Sequence, residues 1–389
     1  MEPEKLSPDQ VQEPVLDSQP TETQAPAFLT AESPKRHYFS SIFLNSDCEL
    51  RSGWSVLLFL LLSALFMFAL GSGASLIAKH ILHHKPDGFS AVSALISEII
   101  SVLAILAAGS LVARFEHRHL LDYNLTGPRR LWNFGGGLAA GFVALSALVG
   151  AMTLGGWMHF GPVALSGSQI LVYAGLWGAA FLLTGFFEEG SFRCYLQYTL
   201  TRGLNFWWAL GINASVCLFM LIAMKGSGVW GVYGFALLGL LPCLILHVKK
   251  VPTAPFWQAA WVTSMLFGFI HTSNNGENWI GIFAAAAIGF VFCVSIRLTG
   301  SAWWAIGCHA AWDWAETYFY GTSDSGFVAS GHFLSSTTSG NALWSGGTDG
   351  PEGSLLVLPI ILLLLVALLV IYARKKRIEP LTIPIPAVD

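Results

Sequence analysis

Charge is scarce in this chain. Of its 389 residues, 11% are Asp, Glu, Lys or Arg and 54% are hydrophobic, and the mean hydropathy is +0.60. A soluble globular domain carries about 25% charge, so the composition excludes an ordinary soluble fold and points to a polytopic membrane protein. The basic residues sit in short loops rather than on one face, and no nucleic-acid partner is expected. Paired cysteines are lacking too. Cys48, Cys194, Cys217, Cys243, Cys293 and Cys308 include no CxxC, and five of the six fall in apolar segments. That pattern reads as small packing residues rather than a redox or metal pair. Near the start there is no apolar stretch of the kind a cleavable signal needs. Residues 1–46 are polar and rich in Pro, Gln, Glu and Thr, which predicts a disordered cytoplasmic tail.

Long apolar runs are abundant. A run of 18 or more residues reads as a spanning helix. The predicted fold class is therefore all-α, a polytopic transmembrane helical bundle of about ten spanning helices, with no internal repeat. They fall roughly at 53–80, 91–113, 132–155, 168–199, 206–224, 228–248, 255–273, 278–298, 302–320 and 354–373. The organisation expected is N-terminal helices over 47–166, a core over 167–320, a Gly/Ser-rich loop over 321–353, and a last helix with a basic tail over 354–389. The loop is either flexible or a cap facing a substrate. Arg114, Arg118, Arg129, Arg130, Arg202, Lys249, Lys250, Arg297 and the run Arg374–Arg377 fall on one side if both termini are cytoplasmic. The positive-inside rule then gives a multi-pass protein of the cell membrane in that orientation.

Against this background the buried acids stand out. Glu188 and Glu189 lie in the apolar run Gly185-Phe186-Phe187-Glu188-Glu189-Gly190-Ser191-Phe192-Arg193. Ionisable groups in a membrane segment are costly and usually functional. Adjacent helical residues point about 100° apart, so the two glutamates have different surroundings. Glu189 and Arg193, four apart, face each other and can form an ion pair, which leaves Glu188 to face a cavity as a general base. A structural ion pair locking helices together is the plainer reading. His271 ends a Phe-rich helix one turn after Phe267, and is either a packing histidine or part of a site. His309 and Asp313 are also four apart, so the carboxylate can orient the imidazole or hold a water, or the pair can be a polar helix contact. Glu98, among Ser93, Ser97 and Ser101, reads as helix glue or a cavity wall. His80, His83 and His84 have metal-compatible spacing at a membrane edge.

Taken together, the three motifs resemble the CPBP family of intramembrane proteases, which includes the type II CAAX prenyl endopeptidases. The family pattern EExxxR, FxxxH and HxxxN/D reads here as Glu188 to Arg193, Phe267 to His271, and His309 to Asp313. The resemblance covers roughly 168–320, and the run Gly350-Pro351-Glu352-Gly353 is similar to some members more loosely. One departure is an extra helix pair, about 206–248, between the first and second motifs. The resemblance implies an intramembrane endopeptidase acting on a peptide, membrane-protein or lipidated substrate in the bilayer, with Glu188 activating water. His271 and His309 would either polarise the scissile carbonyl or join Glu188 in binding a divalent metal, zinc by donor type. Glu189 with Arg193 would hold the helix in register, or Glu189 would share the acid–base work, and Asp313 would orient His309 or the water. Two other functions fit the same residues: a non-proteolytic protein of this fold that binds a peptide or partner, as in immunity or regulation, and a proton-coupled transporter. In this topology Glu188 and the outer end of the His271 helix stand ~15 Å apart in depth.

Overall fold

The apolar runs form helices where they are expected. The computed structural model describes residues 42–45, 49–80, 90–223, 229–274, 276–323 and 328–373. The expected tail over 1–46 lies almost wholly outside them, as do Cys48, His83, His84 and the basic tail beyond 373. Phe43–Asp389 group as one unit, whose described part follows. The helices are α1 (Ser52–His80), α2 (Ala91–Phe115), α3 (Arg130–Leu154), α4 (Ser168–Gly203), α5 (Phe206–Ala223), α6 (Val229–Val248), α7 (Ala254–Ile270), α8 (Trp279–Thr299), α9 (Trp303–Asp313) and α10 (Val357–Leu368). π-helical turns continue α9 over Trp314–Phe319 and α10 over Leu369–Ala373.

Ten helices of more than ten residues among the described residues do not by themselves make ten crossings. By length and composition five suffice to cross a membrane: Ser52–Ile77 of α1, then α2, α3, α4 and α8. α7, α9 and α10 have 17, 11 and 12 residues, short of the ~20 that a perpendicular span needs. Large apolar side chains face outward, with Leu154 92% and Leu131 86% exposed. A water-solvated surface does not normally carry so much apolar area, whereas lipid accepts it. The chain is a multi-pass helical membrane protein.

α9 is the centre of the packing, and glycines put it there. A Cβ at Gly137 or Gly141 of α3 would strike the carbonyl oxygens of Trp304 and Cys308. At Gly185 of α4 it would lie 3.0 Å from Ile306 O and 3.2 Å from the Ala310 amide nitrogen. Between membrane helices attraction comes from such close approach, because lipid is as apolar as the side chains. Gly141→Val is expected to destabilise the protein by at least the ~1–3 kcal/mol typical of overpacking, read as a lower melting temperature in detergent. Gly150→Val, on the same helix with no atom within 4 Å of the new Cβ, is the control and is expected to change little.

The all-α expectation needs one correction. β1 (Met158–Val163) pairs antiparallel with β2 (Leu334–Thr338), Met158 opposite Thr338, with an irregularity between Phe160 and Val163. A search for long apolar runs cannot detect two strands of five or six residues. One of them, Leu334-Ser335-Ser336-Thr337-Thr338, is largely hydroxylic. The described part of the 321–353 loop is therefore built rather than loose. Trp157 stacks on Trp344 at 5.3 Å, and the Asn278 side chain, which caps α8, also donates to the carbonyls of Gly346 and Gly353 at 3.3 and 3.1 Å.

α5 and α6, the extra pair, pack on each other and on α7. The last turn of α4 is tied down separately. Buried Glu116 accepts hydrogen bonds from Ser55 and Tyr123, and Arg202 and Arg118 bridge Glu116 and Glu49. Burial, then the Glu116 charge, pushes the Tyr123 hydroxyl well above the ordinary tyrosine range.

Candidate active site

The site begins where α4 changes its winding. Ser168–Glu189 is α-helical, Gly190–Leu196 is π-helical, and Gln197–Gly203 returns to α. π-turns are rare and concentrate at functional sites. α9 repeats the device, its π-turn following Asp313 directly. Because α4 runs to Gly203, Glu188 lies near its middle. The depth gap expected between Glu188 and His271 is absent: a cavity of ≈ 310 Å³ is lined by both, together with His309 and Asp313.

Glu189 and Arg193 form the wall behind this cavity. Neither side chain is exposed at all, and Arg193 Nε stands 3.1 Å from Glu189 Oε2. The guanidinium lies 4.2 Å from the ring centre of Phe267 and 5.5 Å from that of Phe292, so aromatic faces take up the charge that water would otherwise solvate. Space for it comes from Gly289 of α8, where a Cβ would strike Arg193 Nη2.

The second oxygen of Glu189 reaches His309, at 2.8 Å from Nδ1. A carboxylate paired with arginine only accepts, so Nδ1 carries the proton and Nε2 is the nitrogen turned toward Glu188 Oε2 at 3.7 Å and Asp313 Oδ2 at 3.5 Å. The ring is therefore approached by carboxylates on both sides. Glu189 fixes the Nδ1 side of the His309 ring, and Asp313 faces Nε2. His271 is held similarly: its Nδ1 lies 2.7 Å from the Phe267 carbonyl oxygen, which can only accept. The F-x-x-x-H spacing thus lets the histidine side chain satisfy a carbonyl left open at the end of α7.

Two carboxylates reach the cavity that the sequence motifs did not place there. Glu98 of α2 is one, and its apolar setting was the available signal. Glu352, in the 3-10 turn Pro351–Gly353, is the other. Its Oε1 accepts from Trp312 Nε1 at 2.7 Å, so the loop touches α9. The Gly-Pro-Glu-Gly run was the only hint of it.

Among the described residues no three His, Cys, Asp or Glu side chains are grouped to hold a metal ion. Both imidazoles donate their outer N–H as ligand histidines do. As arranged, though, Glu188, His271 and His309 do not form a three-ligand zinc site.

Residues 245–315 match the family model for type II CAAX prenyl endopeptidase, Rce1-like. That segment is similar to CAAX-type proteases. The matched segment contains the second and third motifs, His271 and His309 to Asp313, and lies wholly after Glu188, Glu189 and Arg193. It starts at the end of α6, so nearly all of the extra helix pair falls outside it. No curated protein and no solved structure matches the chain. At the level of the family, the likeness is to CAAX-type intramembrane proteases working on membrane-associated substrates.

Proposed function

We propose that the protein is an intramembrane endopeptidase hydrolysing peptide bonds of membrane-associated or lipidated proteins, in a cell membrane with both termini cytoplasmic. One observation carries the reading: Glu188, His271, His309 and Asp313, drawn from three helices, line one cavity, with His309 oriented by a fully buried Glu189–Arg193 pair. A buried network of this kind is costly to build, and positioning a catalytic imidazole is a use that offsets the cost.

In this mechanism Glu188 accepts a proton from a water as its oxygen adds to the scissile carbonyl carbon. Asp313 accepts a hydrogen bond from the water's other hydrogen, which stays on the oxygen, and His309 between Asp313 and Glu188 keeps the two carboxylates aligned. His271 is held by the Phe267 carbonyl so that Nε2 faces the cavity. When doubly protonated, it donates N–H to the developing oxyanion. The C–N bond then breaks, and the proton held by Glu188 passes to the departing amine. The products are a carboxylic acid and an amine, and Glu188 is again a carboxylate.

The test is cleavage of a labelled panel of peptides and membrane proteins by the purified, detergent-solubilised full chain. Wild type, Glu188→Ala and His309→Ala run side by side. Cleavage by wild type and its loss in both variants is the expected result. Equal cleavage by all three would place the activity elsewhere. The same assay tests zinc: inhibition by a chelator, reversed by zinc, would require Glu188, His271 and His309 to draw together when metal binds. Insensitivity to chelator would leave the hydrolysis to the side chains alone.

A further inference from the structure

The cavity holds more acid than the proposed reaction uses. α2 contributes Ala94 and Glu98, one turn apart on a single face, to the same cavity that Glu188, Asp313 and Glu352 line. Glu98 Oε2 is buried and has no hydrogen-bond partner among the described residues, and the same holds for Glu188 Oε2, which only approaches His309. An unpaired buried carboxylate oxygen is destabilising unless a donor reaches it. The cation nearest the site, Arg193, cannot serve, because it lies in the wall, bound to Glu189 and enclosed by aromatic rings. The described residues that line the cavity thus include carboxylates and two histidines but no lysine or arginine.

We propose that Glu98 is a substrate-positioning residue that accepts a hydrogen-bonded cation, a lysine or arginine side chain of the substrate flanking the bond to be cut. The inference rests on the endopeptidase reading of this cavity and names its substrate class. In an apolar surrounding a carboxylate binds a cation far better than a neutral group, and repels a second anion. Its chemistry also separates its role from that of Glu188. Glu98 is not adjacent to the imidazoles in any motif, and the mechanism gives it no proton to carry. Its removal should therefore weaken substrate binding and leave the bond-breaking step intact.

The experiment uses purified full-length protein and three hydrophobic peptides, identical except for one flanking residue: Lys, norleucine or Glu. That residue is scanned along the positions next to the cleaved bond. Dissociation constants are measured alongside cleavage, on wild type and Glu98→Gln. Wild type is expected to prefer Lys over norleucine by about tenfold at one position and to reject Glu. Glu98→Gln should raise KM for the Lys peptide about tenfold, with kcat within about twofold and the norleucine peptide unaffected. Restoring a carboxylate one methylene shorter, Glu98→Asp, should recover part of the preference, which a merely structural role would not predict.

Equal affinity for the three peptides, a Lys preference that survives Glu98→Gln, or no binding of any of them would overturn the proposal. Lys-selective binding without cleavage keeps this proposal and removes the protease reading. Cleavage without charge selectivity does the reverse.

Discussion

Glu188→Gln is expected to lower kcat/KM by about 10²–10⁴-fold, the usual contribution of a positioned general base. Glutamine keeps the shape of the side chain and its place on the cavity wall but cannot take a proton from water. The loss should fall on kcat, because the substrate still meets the same walls and the missing interaction belongs to the transition state. Folding should be nearly untouched: Glu188 is partly exposed to the cavity, and its approach to His309 Nε2 is long at 3.7 Å. Single-turnover cleavage kinetics with a melting curve in the same detergent separate the two effects. A variant that unfolds, or one that cleaves at the wild-type rate, would remove Glu188 from the role of base.

Arg193→Met is expected to act on the fold instead, at about 3–5 kcal/mol, the scale for removing one partner of a buried ion pair. With no exposed surface on either side chain, Glu189 would be left charged and enclosed, with His309 its one remaining hydrogen-bond partner among the described residues. The double variant Glu189→Gln/Arg193→Met should be far more stable than Arg193→Met alone, because no orphaned charge remains. It should still be inactive, because a neutral amide no longer gives the His309 ring the charged partner that holds it in place. Thermal unfolding of wild type, the two singles and the double forms a cycle that measures the coupling directly. Additive losses would mean that the pair is solvated in the membrane-embedded protein.

The three motifs lay on the surface of the sequence because intramembrane charge is so rare that each acid or histidine in an apolar run stands out. Helix spacing alone paired Glu189 with Arg193, and the two meet at 3.1 Å. The limits of the helices were legible for a related reason: apolar runs, the Asn278 cap of α8 and the left-handed Gly300 that ends it are local signals. Local signals could not tell which oxygen of Glu189 is spent on Arg193 and which on His309, since those partners arrive from different helices. The placement of Glu352 was equally out of reach. Its loop is fixed by hydrogen bonds from Asn278, some 70 residues earlier in the chain, and by a two-stranded sheet with its partner strand before α4.

By itself, then, the sequence determined that this chain is a helical membrane protein, where its helices run, and which few polar residues the lipid-buried part would have to justify. Those are consequences of composition and of the 3.6-residue period, which act over a turn or two. Only the tertiary structure decided that Glu188, His271, His309 and Asp313 share one cavity. It also decided that Glu189 rather than Asp313 holds the outer nitrogen of His309, and that Glu98 and Glu352 face the same space. Close backbone contact at Gly137, Gly141 and Gly185 brings α3, α4 and α9 together, and the long α4 with its π-turn sets the depth of the acids. Such contacts depend on which helices become neighbours, and that is settled by packing over the whole chain rather than by any one segment.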